Sequence, residues 1–163
     1  MAPDRASVVR GLVERESRSL LDYFVRRTAN PHDAADLLGE TLLVVWRRES
    51  SIPSDPTEAR MWMFGVARRV LAGHRRTRSR RQALSERLGE TLTTVAERSA
   101  DTDPDGVRAA IATLPEVDRE IVRLVYWDGF TLADAAKIMG MRPATVRSRM
   151  ARARERLRAH LDE

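Results

Sequence analysis

"TLADAAKIMGMRPATVRSRMARARERLRAHL", Thr131 to Leu161, is the stretch on which the reading of this chain turns. Thr131 is followed three residues later by Asp134, the pairing that starts a helix in a capping box. Gly140 offers the backbone freedom that ends a helix, and Pro143 opens the next one where a missing N–H costs nothing. At 100° per residue, Val146, Met150, Ala153, Leu157 and Leu161 of this second helix form one narrow stripe that is expected to pack inward. Ala144, Arg147, Ser148, Ala151 and Arg152 fall on the opposite side. Ala136, Gly140 and Val146 hold the small, glycine and apolar positions that let two helices cross closely in a helix-turn-helix, whose second helix lies in the major groove of DNA. From Arg142 to Leu161 there are seven arginines, one glutamate and no lysine. Such a run alone would describe a solvated surface helix. With the capped short helix, the turn glycine and the first-turn proline in register, it points to DNA binding. Arg147 brings a fork of donors to a guanine edge or a phosphate, Ser148 and Arg152 reach neighbouring groups, and short Ala151 permits close approach.

The rest of the chain is also helical in pattern. Asn30-Pro31-His32-Asp33 and Asp55-Pro56-Thr57-Glu58 each set an N-cap residue before a first-turn proline with an acid at the third helical position. Asp128-Gly129 marks a turn, and no run shows sustained period-two alternation. The expected class is all-α, with helices over residues 8–27, 31–48, 56–78, 106–113, 115–127, 132–139 and 143–161, and "ESSIPSD" as a loop between the second and third. Charge divides the chain. Residues 61–81 hold Arg68, Arg69, Arg75, Arg76, Arg78, Arg80 and Arg81 with no acid, whereas residues 82–105 hold six acids against two arginines. The expected organisation is an N-terminal helical domain (1–81), a flexible acidic linker with room for one weak helix (82–105), and a C-terminal helix-turn-helix domain (106–163).

Composition narrows the function. The 163 residues suit one domain or two small ones, and no apolar run approaches the ~20 residues of a membrane span. With no cysteine there is no disulfide or thiolate metal site, and a reducing, cytoplasmic setting is expected. His32, His74 and His160 lack the spacing of a helical metal pair, and no cofactor is expected. A net charge of +5 and a pI near 10.7 lean toward nucleic acid. Of 29 basic residues only Lys137 is a lysine, a bias that a GC-rich genome explains.

Two further helices carry surface readings. In the second, Ala35, Leu38, Leu42, Val45 and Trp46 make an apolar face expected to point inward. Asp33, Asp36, Leu37, Glu40, Val44 and Arg47 lie opposite, and apolar Leu37 and Val44 among acids suggest contact with a basic partner protein, burial of the helix on both sides in a small bundle being the alternative. In the third, Ala59, Trp62, Met63, Val66 and Val70 take the core face. Phe64 falls on the other side among Arg60, Arg68 and Arg75, an arrangement suited to single-stranded nucleic acid, with packing against the first helix equally open. The "RRTRSRR" end reads as a phosphate-contacting patch.

"DAADLLGETLLVVWRR", "MWMFGVARRVLAGHRR" and "LPEVDREIVRLVYWDGFTLADAAKIMGMRPATVRSRMARAR", in that order, resemble a group IV (extracytoplasmic-function) bacterial sigma factor, over roughly Leu20 to Leu161. The resemblance implies a subunit that takes core RNA polymerase to promoters, with partners in the clamp helices of the largest subunit, the flap region, promoter DNA and an anti-sigma protein. It places the polymerase grip on Asp33, Asp36, Leu37, Glu40, Val44 and Arg47. It assigns minus-ten DNA to Arg60, Phe64, Arg68, Arg69, Arg75 and Arg76, with capture of a flipped base by the loop 49–55. Minus-thirty-five DNA falls to Thr145, Arg147, Ser148, Ala151 and Arg152, and the acidic linker would thread the RNA-exit path. Arg69 stands where relatives often have asparagine and Gly73 where they often have a polar residue, so the base read there does not carry over. A dimeric helix-turn-helix regulator is the competing class. A helical enzyme lacks support, since no nucleophile–base pair or phosphate loop is present.

Overall fold

The computed structural model describes residues 4–89 and 106–162. Among them the regular structure is helical throughout, and the chain divides into two compact units between Ser99 and Ala100.

The first unit is a three-helix bundle of α1 (Arg5–Val25), α2 (Pro31–Arg47) and α3 (Pro56–Arg87), each packed against the other two. The caps form as their residues dictate. Asn30 accepts from the backbone N–H of Asp33 at 3.0 Å, and Asp55 accepts from that of Glu58 at 2.9 Å, each cap worth about 1 kcal/mol. The α1 helix begins earlier than expected, because Asp4 already closes a turn with the N–H of Ser7 at 2.9 Å. It also ends earlier, where Arg27 Nη1 and the Thr28 hydroxyl take the carbonyls of Tyr23 and Phe24 at 3.0 and 2.8 Å. Leu12, Leu20, Tyr23, Phe24, Leu37, Val45, Met63 and Ala67 are almost wholly buried and form the core. The expected loop 49–55 contains a 3-10 turn, Glu49–Ser51.

The longest helix runs beyond its expected end at Arg78. Residues 79–87 supply good helix formers without glycine or proline, Gln82 donates to Glu86 one turn on at 3.3 Å, and the chain leaves the helix only near Gly89, at φ +68°. The acidic segment therefore begins inside α3. The remainder of that segment, with the weak helix expected there, lies outside the described residues.

The second unit comprises α4 (Val107–Ala112), α5 (Glu116–Tyr126), α6 (Leu132–Met139) and α7 (Pro143–Leu161), with α7 packed on the other three. Both ends of α6 and both ends of α7 fall where the sequence pattern puts them. The capping box is complete: Thr131 accepts from the N–H of Asp134 at 3.1 Å, and Asp134 accepts from that of Thr131 at 3.2 Å. Gly140, at φ +62°, closes α6, and the N–H of Met141 reaches back to the Ala136 carbonyl at 2.9 Å, a Schellman ending. Ala136 and Val146 are buried at this crossing.

Candidate nucleic-acid and protein interfaces

In the helix-turn-helix, Val146, Met150 and Ala153 seat α7 against its unit, leaving Ala144, Thr145, Arg147, Ser148, Ala151 and Arg152 exposed. All five residues expected to meet minus-thirty-five DNA are thus exposed within the first three turns of α7. The inward stripe is shorter than expected: Leu157 is half-buried and Leu161 exposed, because α7 outruns the small unit beneath it. Arg149 went unnoticed in the sequence pattern. It lies between the two faces, and its Nη1 donates to the buried carboxylate of Asp118 on α5 at 2.8 Å. An arginine at the edge of an apolar stripe was the available signal, but its partner lies 31 residues upstream.

In the first unit the α2 helix is rolled about a quarter turn from the expected orientation. Its buried residues are Ala34, Leu37, Thr41 and Val45, while Ala35 and Trp46, expected inside, are exposed. Leu37 is therefore core and not a partner contact, and Val44 is half-buried. Thr41 can take a core position because its hydroxyl donates to the Leu37 carbonyl at 2.7 Å and is satisfied within its own helix. Asp33 is held internally, 3.7 Å from His74 Nε2 and 3.8 Å from Arg78 Nη1. What remains open on α2 is a strip of Asp36, Glu40, Leu43 and Arg47 with Trp46 beside it. Leu43 is 57% and Trp46 53% exposed, so the apolar part of the free face lies at these two residues, which the sequence pattern had not assigned to it.

On α3, Phe64 is wholly buried and meets Tyr23 edge to face at 5.5 Å. It is not a stacking platform for bases. Arg60 lies over the Phe64 ring at 4.9 Å and its Nε bonds Glu16 of α1 at 3.0 Å, so this arginine staples α1 to α3. Trp62 and Val70, expected in the core, are half-buried. Arg75 reaches the Arg27 carbonyl at 3.4 Å, Arg68 is half-buried, and Arg69 and Arg76 are exposed. Arg69 and Gly73 border a shallow groove of about 260 Å³ between α2 and α3, floored by Val44 and Val66 and flanked by Glu40 and Arg48.

Among the described residues no group of histidines and acids is arranged to hold a metal ion, and no helix is long and apolar enough to cross a membrane.

The chain matches two family models, sigma-70 region 2 over residues 12–81 and sigma-70 region 4 over residues 105–157. It is 30% identical to the ECF RNA polymerase sigma factor SigL of Mycobacterium tuberculosis, over 99% of this chain and 93% of the relative. It is 37% identical to SigC of the same species, over 83% of this chain and 74% of the relative. Among solved structures it is similar to the sigma factor RpoE of Bartonella quintana, seen in complex with the anti-sigma factor NepR. The TM-score is 0.73 at 26% identity, covering 94% of this chain and 96% of that one.

Proposed function

The chain belongs to the extracytoplasmic-function RNA polymerase sigma factors of the sigma-70 family, and from that premise we propose how its surfaces share the work. A sigma factor is a binding subunit and not an enzyme: it joins core RNA polymerase, recognises promoter DNA and starts transcription. The observation that carries the division of labour is α7, anchored on one side by Val146 and Met150 and offering Arg147, Ser148 and Arg152 on the other. This face reads the minus-thirty-five element: Arg147 is the base-reading fork, and Thr145 and Arg152 hold phosphates or flanking bases.

Polymerase docks on the open strip of α2. Asp36 and Glu40 give it charge, and Leu43 and Trp46 give it the apolar surface first assigned to Leu37 and Val44. Arg68, Arg69, Arg75 and Arg76 face the minus-ten region, with Arg60 and Phe64 bracing the helix that bears them. A basic-to-acidic reversal after Arg81 suits a segment that leaves DNA for a basic channel on polymerase. The work is cytoplasmic, where polymerase and genome are. A protein antagonist of the kind bound to the Bartonella relative is expected to hold this chain inactive by covering the same surfaces. Run-off transcription on genomic fragments, with purified core polymerase and with or without the protein, tests the reading. Transcripts that start only when the protein is present are the expected result, and none anywhere would refute it.

A further inference from the structure

The seat of α7 is narrow and apolar: Val146, Met150 and Ala153. Apolar packing has no direction, so such a seat sets how closely a helix lies better than how far it is rolled about its own axis. Two hydrogen bonds add that direction, and both come from α5. Asp118, in its first turn, accepts from Arg149 Nη1 at 2.8 Å, and the hydroxyl of Tyr126, its last residue, accepts from Arg154 Nε at 3.1 Å. With Val146 at the middle of the seat, 100° per residue puts Arg149 about 60° to one side and Arg154 about 80° to the other. A roll in either sense stretches one of the two bonds. They are not equal. Asp118 is 5% exposed, so the bond from Arg149 is what offsets the buried carboxylate's loss of water. Tyr126 is 57% exposed, and its bond competes with solvent.

We infer that Asp118, acting through Arg149, is a positioning residue for base reading, with Tyr126 as a weaker counter-stay on the other flank. The inference rests on the reading of α7 as the base-contacting helix. A roll of about 20° carries a side-chain tip about 2 Å sideways at the helix surface, several times the spread of a good hydrogen-bond length. Releasing the stay should therefore blur which base Arg147 selects while leaving general attraction to DNA in place.

The test uses the full chain bound to core polymerase and one promoter it transcribes, with each base pair of the upstream element changed in turn. Wild type is expected to show about fivefold to a hundredfold penalties at its read positions, the size of a good base contact. Asp118→Ala should shrink these penalties to within about threefold while keeping the salt dependence. Asp118→Asn, which retains an acceptor oxygen, should restore most of the discrimination. Leu157→Ala serves as the control, a half-buried truncation on the same helix that is expected to lower Tm without flattening the base profile. If Asp118→Ala lowers all promoters by one common factor, as the control does, Asp118 is merely structural and the inference falls. Should that variant fail to fold, Arg149→Met decides the matter, since losing the donor to Asp118 must flatten the profile, with Tyr126→Phe flattening it less, and an unchanged profile for Arg149→Met overturns the inference. A wild-type profile that is itself flat would instead sink the base-reading role of α7.

Discussion

Arg147 and Arg158 stand on the same helix and are both exposed, yet their loss should register differently. Arg147 lies in the first turns, where a recognition helix meets base edges, and a bidentate contact there is worth ~1–3 kcal/mol of discrimination. Arg147→Ala is expected to cost activity mainly on promoters that keep the preferred upstream base, whereas Arg158→Ala should weaken all promoters about equally or not at all. Transcription from a promoter set varied base by base separates the two; a common factor for Arg147→Ala would make it a phosphate clamp. Phe64 calls for a different measurement. Its ring is buried against Tyr23, so Phe64→Ala should cost ~3–5 kcal/mol of stability through the cavity it leaves. A base-stacking ring would instead lose DNA affinity with Tm unchanged, and thermal unfolding beside promoter binding distinguishes these outcomes.

At the scale of elements, the open strip of α2 yields a prediction in two parts. Asp36→Lys with Glu40→Lys should weaken holoenzyme assembly with helicity intact, and so should Leu43→Ala with Trp46→Ala, since all four side chains are solvent-exposed. Titration against core polymerase alongside circular dichroism checks both, and unchanged affinity in either pair removes that half of the face. Sequence pattern alone located α6 and α7 to the residue, because Thr131, Asp134, Gly140 and Pro143 each do one thing to a backbone. The roll of α2 was not legible for the opposite reason. Seven of the residues from Leu37 to Trp46 are apolar, so a helical wheel has little contrast, and Thr41 counts as polar until its hydroxyl is seen to turn back onto its own helix. The end of α3 was missed because a change of charge sign stops no helix. Arg149 was missed because its meaning lies in Asp118, a contact that no local window contains.

At the scale of the whole chain, charge runs basic, acidic, basic along the sequence. Glu86 lies in the last turns of α3, and Glu90 and Glu97 follow in the sequence. Replacing all three by glutamine should alter abortive synthesis or promoter escape while leaving promoter binding nearly intact, if the segment occupies a basic channel that RNA later enters. Identical abortive-product patterns would argue against that path. The division into two compact units, each closing its own core, has a further consequence. On the proposed reading, with one DNA-contacting surface in each unit, the chain is a bivalent ligand: once one surface is engaged, the other meets the same DNA at an effective concentration set by their covalent connection, not by the protein in solution. Free energies at the two promoter elements should then add. The fold-penalty of Arg147→Ala ought to be the same on a strong and on a weak downstream element, within about 0.5 kcal/mol. Weak upstream contact would then be repaired by strong downstream sequence, and promoters could set their output by trading one against the other.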